Sequence, residues 1–128
     1  MPFYQFTVPA GSATARKKAE VAAAVTTVHA EITGAPREYV NCSFTEVPPG
    51  SIFAGGSAVD GGRMVGIIRQ GRSEDVKRKL MMALADAWVS VAAEPVEDIA
   101  LFVHEVPGYQ VMEYGVLLPE ASQDRAPG

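Results

Sequence analysis

The sequence predicts an α/β (α+β) fold, two βαβ repeats forming a four-stranded sheet with two helices on one face. Two observations predict it. The stretch Glu46-Val47-Pro48-Pro49-Gly50-Ser51-Ile52-Phe53-Ala54-Gly55-Gly56 recurs as Glu105-Val106-Pro107-Gly108-Tyr109-Gln110-Val111-Met112-Glu113-Tyr114-Gly115, an offset of 59 residues (105 − 46). Upstream, Gly11-Ser12 and the helical stretch behind it are mirrored by Gly71-Arg72-Ser73 and its helix. The 128 residues thus form a single domain whose halves, about 1–60 and 61–118, each read strand, helix, strand, turn. The same order of elements also describes the ferredoxin-like fold, so order alone leaves both open. The basic-aromatic strand motif of that fold's RNA-binding members is missing here.

Residues 3–8 cluster aromatic and β-branched side chains and predict the first strand. A helix follows over 12–33, with Val21, Val25, Val28 and Ile32 on one face. Ser12 or Thr14 would cap its start, and Gly34 and Pro36 end it. The second strand, 39–47, alternates Val40, Cys42 and Phe44 with Asn41, Ser43 and Thr45. The third strand spans 63–68. The second helix, 73–92, would bury Val76, Leu80, Leu84, Ala87 and Val91 before Pro95 stops it, and the fourth strand covers 99–104. The polar tail, 119–128, is expected to be loose.

Composition narrows the function classes. Apolar residues make up 48% and the formal charge is −4 with no basic stripe, which argues for a globular chain and against a nucleic-acid partner. No apolar run approaches the roughly 20 residues that span a bilayer, so no membrane association is expected. The lone Cys42 excludes an intramolecular disulfide and reads as a core thiol. These features together describe a soluble cytoplasmic domain. Two histidines and one cysteine, far apart, make no zinc pattern, and no glycine loop has a phosphate-binding setting. Neither metal nor cofactor is expected.

Four features carry chemistry. The chain opens Met1-Pro2, and loss of Met1 would leave Pro2 as a secondary amine that titrates near neutrality once desolvated. Such an amine serves as general base or nucleophile. Arg69 and Arg72 stand at a strand-to-helix junction beside Gly71, an arrangement suited to a carboxylate through charge-assisted hydrogen bonds. His29 lies at the edge of the first helix's apolar stripe, where it is either a core residue or a donor to a substrate oxygen. Glu113, a loop residue in this reading, occupies the repeat position that Ala54 holds in the first half, and a carboxylate there can activate water.

Together Pro2, His29, Arg69, Arg72 and Glu113 resemble the tautomerase superfamily and, within it, the cis-3-chloroacrylic acid dehalogenase family. The likeness runs to about residue 119. It is strongest at Met1-Pro2, Phe53-Ala54-Gly55-Gly56, Gly71-Arg72-Ser73-Glu74-Asp75-Val76-Lys77, Ser90-Val91-Ala92-Ala93-Glu94 and Val111-Met112-Glu113-Tyr114-Gly115. Pro2 and His29 also keep the family's separation of 27 residues (29 − 2). The resemblance implies the tautomerase fold, a homotrimer, Pro2 as catalytic group, Arg69 and Arg72 on a substrate carboxylate, and His29 helping to hold it. It also implies that Glu113 activates water together with a tyrosine. That tyrosine is replaced here by Phe102, which would line the substrate site without a hydroxyl. Tyr109 and Tyr114 are the candidates to replace it.

The resulting expectation is a tautomerase moving a proton between keto and enol forms of small carboxylate substrates. Weak dehalogenase or hydratase chemistry and promiscuous carbon–carbon bond formation would accompany it. An efficient cis-3-haloacrylate dehalogenase and a non-catalytic trimeric binding protein are the alternatives.

Overall fold

The computed structural model describes residues 1–123. Strand β1 (Phe3–Pro9) turns Tyr4, Phe6 and Val8 to a buried face and Gln5 to the other. A crossover through α1 (Lys18–Thr33) leads to β2 (Asn41–Val47), which pairs parallel with β1. A short hairpin, β3 (Phe53–Ala54) and β4 (Ser57–Ala58), closes the first half. The second half repeats the plan: β5 (Arg63–Arg69), α2 (Glu74–Ala92), β6 (Ala100–Val106), and the hairpin β7 (Met112–Glu113) with β8 (Val116–Leu117). β5 lies antiparallel to β1 and parallel to β6, so the sheet order is β2-β1-β5-β6.

The hydrophobic core lies between the helices and the sheet, where Tyr4, Phe6, Val8 and Met64 meet Val21, Val25, Leu80, Leu84 and Trp88. Phe6 stacks on Phe44 with ring centroids 4.6 Å apart and meets Trp88 edge-on at 5.0 Å. The buried line of α1 is Val21, Val25, His29 and Thr33, and that of α2 is Leu80, Leu84, Trp88 and Ala92. Both are rotated from the expected stripes. Val28, Ile32, Val76, Ala87 and Val91 are half-buried, because His29 and Trp88 each find a hydrogen-bond partner inside and so enter the core.

Element ends also differ from expectation. The regular helix α1 begins at Lys18, not at residue 12. Ser12 Oγ accepts from Ala15 N (3.2 Å) in a tighter turn, while the Thr14 hydroxyl accepts from Trp88 Nε1 (2.9 Å) instead of capping. Tyr39 belongs to a 3-10 turn, Arg37–Tyr39, after Pro36, so β2 starts at Asn41. Glu113 is a strand residue of β7, paired with Val116, where a loop was expected. In the tail, Ala121 is buried and its N–H donates to Gln70 O (2.8 Å). The remainder of the expected loose segment, 124–128, lies outside the described residues.

Candidate active site

Four segments meet at the N-terminal end of β1: the chain start, the end of α1 with the turn into β2, the β5–α2 junction, and β7. Pro2 is buried. Its carbonyl accepts from Asn41 N (3.0 Å), which extends the β1–β2 ladder, and from Asn41 Nδ2 (3.4 Å). The α-amine ahead of it belongs to Met1. It donates to Tyr39 O (2.9 Å) and forms an ion pair with Glu113 Oε1. Burial lowers the pKa of this amine, Glu113 raises it in part, and the charges of Arg69 and Arg72 lower it further, with a downward net effect.

Glu113 is fixed at both oxygens, because Oε2 accepts from Asn41 Nδ2 at 3.0 Å. Arg69, the last residue of β5, is 7% exposed, and its Nη1 donates to Pro119 O (2.8 Å). Arg72 stands just before α2, whose N-terminus is capped by Ser73 Oγ accepting from Val76 N (3.2 Å). Arg72 Nη1 reaches back to Arg69 O at 3.5 Å. Between the arginines, Gly71 has φ +119°, and a Cβ there would come within 2.5 Å of Ser122 N. The residue must be glycine for the segment after Pro119 to pack against the arginine junction.

His29 and Tyr4 are both fully buried. Tyr4 Oη lies 2.7 Å from His29 Nδ1, with the rings 5.7 Å apart and steeply inclined. Burial, then Arg72, the terminal amine and Arg69, push the His29 pKa down to about 3, so the imidazole is neutral at pH 7. Burial raises the Tyr4 pKa, and its hydroxyl keeps its proton.

Five of the expected residues therefore share one neighbourhood: Pro2, His29, Arg69, Arg72 and Glu113. Phe102 does not join them within this chain. It lies opposite Val65 on edge strand β6, 55% exposed, with β5 between it and β1. Tyr109 and Tyr114 are each 71% exposed, and the Tyr114 hydroxyl donates to Glu38 O (3.1 Å). Sequence reasoning missed Asn41 and Tyr4. A polar residue opening a strand was the only local sign of Asn41. Tyr4 read as an ordinary core aromatic. Among the described residues, no group of three or more His, Cys, Asp or Glu is placed to hold a metal ion, and no helix is long and apolar enough to cross a membrane. The assembled groups can bind a small anion and move one proton beside it.

Comparison with known proteins shows the family and the fold. Residues 1–126 match the family described as "Putative oxalocrotonate tautomerase enzyme" (Tautomerase_3). A crystal structure of a member of the cis-3-chloroacrylic acid dehalogenase (cis-CaaD) family is 31% identical, superposes with a TM-score of 0.88, and covers 94% of this chain and 86% of its own. A native fused 4-OT is 29% identical, with a TM-score of 0.79 over 90% of this chain and 94% of its own. A second fused 4-OT, described as a wild-type symmetric trimer, is 17% identical, with a TM-score of 0.83 over 95% and 99%. No curated protein matches.

Proposed function

The chain belongs to the tautomerase superfamily, and from that premise we propose that it is an N-terminal-proline tautomerase acting on small 2-oxo or enol carboxylates. The observation that carries this reading is the terminal amine, enclosed beside Glu113 and lowered in pKa by burial, Arg69 and Arg72. With Met1 removed, Pro2 presents its secondary amine to the same surroundings. Arg69 and Arg72 bind the substrate carboxylate. In the enol-to-keto direction the amine takes the proton from the enol oxygen and returns it to the neighbouring carbon. His29 donates a hydrogen bond to the oxygen on which charge develops.

A lowered pKa at the Pro2 amine would favour the base over the acid, and so proton transfer over hydration. Glu113, anchored by Asn41, supports a secondary hydrolytic dehalogenation in which it activates water. Phe102 brings no hydroxyl to share that task, so this activity is weak. The exposed Val65 and Phe102 on the uncovered sheet face, with Phe53, Met112, Val116 and Leu117 exposed on the hairpins, support a homotrimer in which Phe102 lines a neighbour's site. The trimers known among fused 4-OT structures point the same way. The lone thiol supports a cytoplasmic setting, and the free amine also suits promiscuous carbon–carbon bond formation with aldehydes.

The test is enol-to-keto conversion of phenylpyruvate by untagged protein beside Pro2→Ala, with cis-3-chloroacrylate as second substrate. Ketonisation that falls by about 10²–10⁴ in the variant, the usual worth of a positioned general base, with little chloride release, supports the proposal. Rapid chloride release would make the dehalogenase reading primary. Ligand binding that survives an N-terminal extension, with no turnover in either assay, would indicate a binding protein.

A further inference from the structure

We infer that Tyr4 is a positioning residue: its hydroxyl donates to His29 Nδ1 and thereby fixes the imidazole as the tautomer that carries its proton on Nε2. The inference rests on the proposed reading of the site only in what the Nε2 proton is for. The tautomer itself follows from a count of hydrogen-bonding groups.

Tyr4 Oη and His29 Nδ1 are 2.7 Å apart and buried, and each is the other's only side-chain partner among the described residues. His29 Nε2 is buried and has no hydrogen-bond partner among the described residues. If Nδ1 carried the proton it would donate to the tyrosine oxygen. The phenolic proton would then lack an acceptor and Nε2 would lack a donor, leaving two buried groups unmatched. If the hydroxyl donates to Nδ1, the phenol is satisfied and one group is left, the Nε2–H. An unmatched buried polar group is unfavourable by more than a typical hydrogen bond gains, so the second arrangement holds.

The single unmatched donor lies where Arg72, the terminal amine and Arg69 all act on the imidazole. An anionic oxygen bound by those cations supplies the acceptor that Nε2–H lacks. A neutral donor has a further use here. It stabilises developing charge without adding a positive charge beside the amine.

The tyrosine is held for this task. Its ring crosses β5 at Gly66, the residue opposite it in the ladder. A Cβ at Gly66 would come within 2.8 Å of Tyr4 Cδ1 and Cε1. No larger residue there would let the hydroxyl keep its line to His29.

The test reads the tautomer without substrate, by ¹⁵N NMR of ring-labelled histidine in the untagged protein, with His104→Gln assigning the signals. An unprotonated Nδ1 and a protonated Nε2 are expected. Tyr4→Phe should move the ring toward a mixture of tautomers and lower kcat for ketonisation about tenfold with KM little changed, as loss of one hydrogen bond in the transition state would. Should Tyr4→Phe not fold, fluorotyrosine at Tyr4, a more acidic donor of nearly the same shape, should shift the Nδ1 resonance. A protonated Nδ1 in the wild type overturns the inference, as does a tautomer unmoved by Tyr4→Phe or an Nδ1 resonance unmoved by fluorotyrosine. Because no substrate is involved, a Tyr4-dependent Nε2–H in a chain without ketonisation activity overturns the functional reading alone.

Discussion

At one end of the sheet the last turn of α1 buries His29; at the other, the last turn of α2 buries Trp88, its counterpart 59 residues on (88 − 29). The correspondence is general. Val21, Val25, His29 and Thr33 map onto Leu80, Leu84, Trp88 and Ala92, and both helices end on a left-handed residue, Gly34 or Ala93. Yet the two ends differ in what they do with the same geometry. Trp88 gives its one N–H to Thr14 and has nothing left to offer, whereas His29 satisfies one nitrogen and keeps the other in reserve. Arg69 and Arg72 are answered at the far end by Pro9 and Ser12 (both 60 residues earlier), and Pro2 by Gly62 (62 − 2). A Cβ at Gly62 would meet Val8 Cγ1 at 2.8 Å and Trp88 Cζ2 at 3.1 Å, so that end is filled by core. The cavity beside it, about 350 Å³, is lined by Pro9, Ser12, Asp60 and Glu94, carboxylates in place of guanidiniums. One backbone plan thus serves once as scaffold and once as a candidate site, and a handful of side chains makes the difference.

That contrast can be broken most forcefully at Trp88. Trp88→Ala should destabilise the fold by about 3–5 kcal/mol in chemical denaturation, since a large buried ring is removed; a loss no larger than that of Trp88→Phe would mean that the indole does not fill that end. Next comes Arg72→Ala, which should lower kcat/KM for a carboxylate substrate about a hundredfold through lost charged hydrogen bonds. Its counterpart Ser12→Ala should leave kcat/KM unchanged, and equal effects from the two would erase the distinction between the ends. Asn41→Ala releases one oxygen of Glu113 and should lower chloride release from cis-3-chloroacrylate about tenfold, measured beside Ala100→Asn, which places an amide at the corresponding far position and should change nothing.

The smallest effect concerns pH. The folded His29 pKa is about 3, below its ordinary value of 6.5, so the unfolded chain takes up a proton that the folded chain refuses. Stability should therefore fall as pH drops through this window, by about 1 kcal/mol between pH 6.5 and 5.5. His29→Gln should flatten that slope in denaturation measured across the range, and an unchanged slope would assign it to other groups.

What was legible from the sequence was whatever is local or repeated. The duplication shows directly in the order of residues, and the arginine pair declares itself because both side chains leave one strand-to-helix junction. Pro2 announces itself by position. Asn41 stayed hidden because its partner Glu113 is 72 residues away, and only the fold makes them neighbours. Tyr4 stayed hidden because a strand tyrosine looks like core until its hydroxyl is seen to meet His29, 25 residues on. The helix stripes were misplaced for a related reason. Apolar periodicity ranks Val28 above His29 and passes over Trp88, while burial follows from whether a polar atom finds a partner inside.

The ladder between β1 and β5 joins the two halves through five register pairs, from Phe3↔Ile67 to Thr7↔Arg63. Tyr4, His29, Asn41 and the terminal amine come from one side of that seam; Arg69, Arg72 and Glu113 come from the other. Each βαβ half pairs strands nearer in sequence than the seam does, and contacts between nearer residues form sooner. On refolding, helix content would then return before activity does, and the recovery of turnover would clock the docking of the two halves, not the completion of either.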